Sequence, residues 1–89
     1  MFVISKLITM KSAETEKKDE RLIKIGNKVR QLRKSNPEYV NYEVFAFTFK
    51  INKGTVQRIE RGDSFNMDSL LKVLDSLNVK VSDFFSDID

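Results

Sequence analysis

Beyond residue 20 the apolar residues of this chain recur at offsets of three and four, never in strict alternation, and that spacing leaves helices as the only regular structure to build with. Leu22, Ile25, Val29 and Leu32 form the first stripe, so a helix is expected over residues 20–35. Arg30, Arg33 and Lys34 crowd its last turn, where cations suit the negative end of the helix dipole. Pro37 then stops it, because the residue before a proline avoids the helical region.

Four further helices follow on short connections. Asn41 is placed to cap a second one over residues 42–49, with Phe45, Ala46 and Phe49 inward. Lys50 and Ile51 make a short turn. Asn52 caps a third helix over residues 53–61, with Val56 and Ile59 inward and Gly62 as its stop. Asn66 caps a fourth through Leu77, with Asp68 in its first turn and Asn78 as a left-handed end. Ser82 is expected to cap a last short helix that carries Phe84 and Phe85. The fold class that results is all-α, one five-helix domain over residues 20–89 behind a short extension over residues 1–19. With 89 residues the chain has room for one modest core.

Composition narrows the chemistry. The chain has neither cysteine nor histidine. Disulfides and thiolate zinc sites are therefore excluded, and the usual general bases and activated nucleophiles are missing. No phosphate loop and no nucleophile–base pair is present, so the expectation is a protein that is not an enzyme and needs no cofactor and no metal. Net charge is only +3, but its distribution is uneven: residues 20–62 carry a net of +6 and residues 63–89 a net of −4. A basic middle with an acidic tail suits a face that meets a polyanion.

Residues 1–10 (MFVISKLITM) are apolar with a single lysine, too short to span a bilayer and without a small-residue cleavage site. Three readings stay open: an added strand or arm, an upstream extension with Met10 as the true start, or a poor signal-like segment. Residues 12–20 are polar and charged and read as a flexible lead or the frayed start of the first helix. A cytoplasmic protein, associated with the nucleoid when bound to DNA and not with a membrane, is the expectation.

A DNA-reading helix-turn-helix needs a bracing helix, a tight turn held by an apolar residue, and a second helix with polar side chains turned to the major groove. Residues 41–62 (NYEVFAFTFKINKGTVQRIERG) supply all three. Phe45 and Ala46 brace against Val56 and Ile59, Ala46 being small enough for close approach, and Ile51 plugs the turn. The outward residues of the third helix are Lys53, Gly54, Thr55, Gln57, Arg58 and Arg61. This segment resembles the helix-turn-helix of the Cro- and phage-repressor-like (XRE) family, most of all in the run from Gly54 to Gly62. Val29-Arg30-Gln31-Leu32-Arg33 resembles that family's first helix, and residues 66–85 its fourth and fifth. The likeness covers about residues 22–86.

The resemblance implies a sequence-specific, double-stranded DNA-binding transcriptional regulator of repressor type, with the third helix in the major groove. Lys53, Gln57 and Arg58 are the candidates for base contact, since glutamine suits adenine and the cations suit guanine. Gly54 admits the backbone close to DNA, and Thr55 meets a phosphate or a thymine methyl. Asn41, Tyr42 and Asn52 sit at helix starts, where phosphate is attracted, and Lys50 and Arg61 are further phosphate contacts. In such proteins the glutamate at Glu60 pairs with the arginine at Arg33, so that pair is expected to be structural. Tyr42 stands where the family usually has glutamine, Lys50 where it usually has glycine, and Phe47 where it is usually polar.

One module makes few base contacts, so a homodimer on a palindromic site is expected; Phe84, Phe85 and Ile88 are either its candidate contact or the closure of the monomer core. The competing reading is a helix-turn-helix-fold protein-interaction module or an antitoxin. Its main partner would be another protein, such as a toxin, met through Tyr42 and Phe47.

Overall fold

The computed structural model describes residues 18–88, and within them every regular element is helical. Helix α1 spans Glu20–Lys34, α2 Tyr42–Thr48, α3 Lys53–Glu60, α4 Met67–Ser76 and α5 Val81–Phe85. None of these is long and apolar enough to cross a membrane. The expectations for residues 1–17 lie outside the described residues.

Helix α1 starts one residue earlier in its anchoring than the domain boundary at residue 20 suggested. The Asp19 side chain accepts from the Arg21 amide at 2.8 Å and caps the helix, so Asp19 belongs to the domain. The Arg21 guanidinium closes on the same carboxylate, and that hydrogen bond holds the Asp19 pKa down to about 2. The inward stripe is Ile25, Gly26, Val29 and Arg33. Gly26 is there because of what it touches: a Cβ at this position would stand 2.3 Å from the Ile59 carbonyl oxygen. The backbones of α1 and α3 are therefore in contact, and only glycine permits it.

Between α1 and α2, where a loop was expected, Pro37–Tyr39 forms a 3-10 turn. Asn36 is extended before the proline, and its side chain accepts from the Glu38 amide at 2.9 Å. Proline at the first position suits this geometry, because its fixed φ is already helical and its missing N–H is not needed there. The turn swings Tyr39 onto α2. Its ring meets Phe45 edge-on at 5.6 Å and Phe49 at 5.3 Å, and Phe45 and Phe49 lie 5.2 Å apart.

Helices α2, α3 and α4 all stop by one device. The residue after the cap takes a left-handed conformation: Lys50 (φ 58°), Gly62 (φ 84°) and Asn78 (φ 60°). In each case its own amide and the next one turn back on the helix. Lys50 and Ile51 donate to Phe47 and Ala46, Gly62 and Asp63 to Ile59 and Arg58, Asn78 and Val79 to Asp75 and Leu74. These are Schellman motifs, which satisfy carbonyls that would otherwise have no partner. Glycine does this without strain, asparagine at small cost, and lysine at about 1 kcal/mol or more.

The last two helices start differently from expectation. Asn66 occupies the cap position of α4 with extended backbone, but its side chain makes no capping bond. Helix α5 begins at Val81 with Lys80 at the cap, so Ser82 lies inside the first turn instead of before it. The reason lies in the core: the Phe84 amide donates to the Lys80 carbonyl at 2.9 Å, and this earlier start turns the Phe84 ring fully inward.

The core gathers Ile25 and Val29 of α1, Phe45 and Ala46 of α2, Val56 and Ile59 of α3, Leu70, Val73 and Leu74 of α4, and Phe84 of α5. All five helices contribute, so the described residues close around a single interior.

Candidate nucleic-acid interface

The position of α3 is set from one side. Val56 and Ile59 are fully buried, and Glu60 beside them is the one buried acidic group among the described residues. Arg33 of α1 meets it in a two-pronged pair, Nε to Oε2 at 2.7 Å and Nη2 to Oε1 at 2.8 Å. The remaining nitrogen, Nη1, donates to the Tyr39 carbonyl at 2.8 Å and also to the Val40 carbonyl. One side chain thus fastens α1, α3 and the turn before α2. Both partners are almost wholly removed from solvent, so each would be a bare buried charge without the other.

The opposite side of α3 is left free of packing. Lys53, Gly54, Gln57, Arg58 and Arg61 are exposed, with Lys50 exposed just ahead of them and Thr55 half-buried. Asn52 caps the helix through its Oδ1, which accepts from the Gly54 amide at 2.7 Å; Asn41 does the same for α2 with the Glu43 amide at 2.7 Å. Both asparagines keep their amide donors at the surface. Gly54 differs from Gly26: a Cβ there would meet nothing but the Asn52 Oδ1, at 3.0 Å. Glycine here spares the capping oxygen that tight contact, whereas no backbone of another helix approaches it.

The cations of this face are held loosely or not at all. Lys50 and Arg58 have no side-chain partner among the described residues. Lys53 pairs with Glu43 at 3.1 Å, a bond that raises the Lys53 pKa, yet both side chains are more than half exposed. Such a pair is worth roughly 0–1 kcal/mol and is readily exchanged for another anion. Arg61 pairs with Asp63 at 2.9 Å. Lys18 reaches the same place, donating to the Arg61 carbonyl at 2.8 Å and pairing with Asp63 at 3.1 Å. The Lys18 bond is the main reason that the Asp63 pKa lies below its ordinary value.

Tyr42 is half-buried against the core and opens a groove that the sequence did not announce. The groove runs between the end of α1, the start of α2 and the outer edge of α3. Arg30 and Lys34 line it with Tyr42, Gln57 and Arg61. Arg30 Nε lies 3.4 Å from Glu60 Oε1, and its side chain is nearly half exposed. In the sequence these two cations explain themselves as partners of the α1 dipole. The signal that could have placed them is their spacing around Arg33, which puts them on the flank of α1 nearest α3.

The candidate dimer contact changes. Phe84 is fully buried, and Lys28 of α1 clamps it: Nζ lies 5.2 Å from the ring centre and donates to the Phe84 carbonyl at 2.7 Å and to Asp87 at 2.6 Å. Phe84 therefore closes the interior of one chain and presents nothing to a second. Phe85 stacks edge-on against it at 5.0 Å and, like Ile88, is half-buried on the same core. The most exposed large apolar residue among those described is instead Phe47, at 87%, with Val44 one turn earlier on the same face of α2. No protein-family model, curated protein or solved structure matches the chain.

Proposed function

We propose that the chain is a double-stranded DNA-binding regulator of the Cro- and phage-repressor-like kind, with α2 and α3 as its helix-turn-helix and α3 seated in the major groove. The observation that supports this best is the outer face of α3. Lys53, Gln57 and Arg58 have no packing duty, and Gly54 leaves the first turn of this face without a side chain. Gln57 and Arg58 present the donors and acceptors that read adenine and guanine edges. Lys50, Arg61 and the amide groups of Asn41 and Asn52 flank them at phosphate height. Because so short a reading surface yields little discrimination, the protein acts as a dimer on a two-fold site.

Binding to random duplex across a salt series tests this reading. The two cations at the phosphates, Lys50 and Arg61, give a slope of log affinity against log salt of about −2 per protomer. No binding at low salt, or a flat response, sinks it. Selection of bound sequences from a random library then yields the half-site and its spacing.

Phe47 favours a second reading. A phenylalanine 87% exposed beside Val44 suits a protein partner, such as a toxin, more than a phosphate. In that case Phe47→Ser abolishes capture of the partner while leaving duplex binding as it was.

A further inference from the structure

We infer that the groove between the end of α1 and the outer edge of α3 is a second seat for a nucleic-acid backbone phosphate, with Arg30 and Lys34 as its cations. The inference rests on the DNA-binding reading and extends its contact surface from α2 and α3 onto α1.

The groove holds about 420 Å³ and is open to solvent, enough for a phosphodiester. Four cations line it: Arg30, Arg33 and Lys34 on α1, the first and last one helical turn apart, and Arg61 at the end of α3. Two carboxylates also face it, and both are already engaged. Glu60 is held two-pronged by Arg33, and Glu43 by Lys53. Four cations against these two carboxylates leave the balance positive, also when Lys53 turns from Glu43 to DNA. Lys34 and the Tyr42 side chain have no partner among the described residues, so their donors are free for a phosphate oxygen. Arg30 keeps only the long 3.4 Å contact with a carboxylate that Arg33 has largely satisfied, so it can turn outward at little cost. Gln57 sits on the same groove wall. A phosphate seated here lies beside a base-reading side chain, and that juxtaposition fixes the depth at which α3 enters the major groove. A phosphate, not a base edge, is the ligand chemistry of this groove. Its donors on α1 and α2 are two exposed cations and a hydroxyl on a concave wall, a set that suits a phosphate oxygen, while the paired donor and acceptor of Gln57 lie on the α3 side.

The experiment measures duplex affinity over a salt series for the wild type, Arg30→Gln with Lys34→Gln, Lys34→Gln alone, and Lys72→Gln on α4 as a control outside the groove. Thermal melting accompanies each measurement. The double variant is expected to melt like the wild type, and to lose at least about tenfold in affinity near 0.1 M salt on every duplex alike. Its salt slope falls by about 2. Lys34→Gln, which removes no contact of the fold, shows about half the change in slope, and Lys72→Gln shows none. If the double variant keeps the wild-type slope while Lys50→Gln lowers it, the groove assignment is overturned and the DNA-binding reading stands. A loss that depends on the duplex sequence overturns it as well, since phosphate contacts carry no base preference. If the wild type itself shows no salt-dependent binding, both fall together.

Discussion

On the side of α3 that faces α1, Val56 and Ile59 are fully buried, Glu60 accepts two bonds from Arg33, and Gly26 lets the two backbones touch. On the other side, one or two residues away along the same helix, the side chains of Gln57 and Arg58 are exposed and have no partner among the described residues. Eight residues carry both sides. The difference teaches how a short helix can be held rigid and still offer a whole face. Its fixing groups come from α1, α2, α4 and the turn before α2, all on its inward side, so none is drawn from the outward residues.

The strongest way to break this contrast is Glu60→Ala. It leaves the Arg33 guanidinium buried without its counter-charge, and the expected loss is about 3–5 kcal/mol in chemical denaturation. A loss below about 1 kcal/mol would mean that Arg33 escapes to solvent and that the pair does not anchor α3. Next come Gln57→Ala and Arg58→Ala. Each should shift base preference at a different position by about 1–3 kcal/mol and change stability by less than about 0.5 kcal/mol. Equal losses on all sequences would turn these residues into phosphate contacts, and a large loss of stability would give the outer face a packing role.

Lys50→Gly sharpens the comparison from its edge, where fixing and reading meet. Its left-handed backbone costs about 1 kcal/mol, which glycine relieves, so the melting temperature is expected to rise. Duplex affinity is expected to fall, because a phosphate contact is removed. A rise in both would leave the lysine without a binding role.

The smallest expected effect concerns pH. Asp19, Asp63 and Asp87 all have pKa values below the ordinary 3.8, held there first by bonds from Arg21, Lys18 and Lys28 respectively. A depressed carboxylate contributes stability that is present above its unfolded pKa and is lost as pH falls through the folded one. The contribution therefore disappears from about pH 4 down to pH 2, and with no histidine in the chain none of the side chains has an ordinary pKa between about 5 and 8. Thermal melts of the wild type should be flat from pH 7 to 5 and decline below 4. A variant with all three residues changed to asparagine should decline less over that window.

Much of the helical layout is legible from residue spacing, because helix periodicity and end signals are local. The stripe from Leu22 to Leu32 and the stops at Gly62 and Asn78 lie within one or two turns of what they control. Gly26 was not legible as a contact residue: its reason is a carbonyl 33 positions later, and spacing along one helix carries no record of a neighbour's backbone. The 3-10 turn escaped for a related cause, since Tyr39 is drawn in by rings on α2. Ser82 looked like a cap because it has the right side chain, but the burial of Phe84 decided where α5 begins. At the site, the outward residues of α3 followed from the same periodicity as its inward ones. Arg30 and Lys34 did not, because the groove they line exists only once α1 and α3 are packed together.

The bonds from Lys18 to the Arg61 carbonyl and to Asp63 have a practical consequence. They hold residue 18 at the end of α3, so whatever is attached directly to it stands next to the face that would meet DNA. An affinity tag, a fluorophore or a surface linkage placed there would crowd that face and weaken any measured binding. The same attachment made through the end that follows α5, which Lys28 holds against α1, leaves it clear.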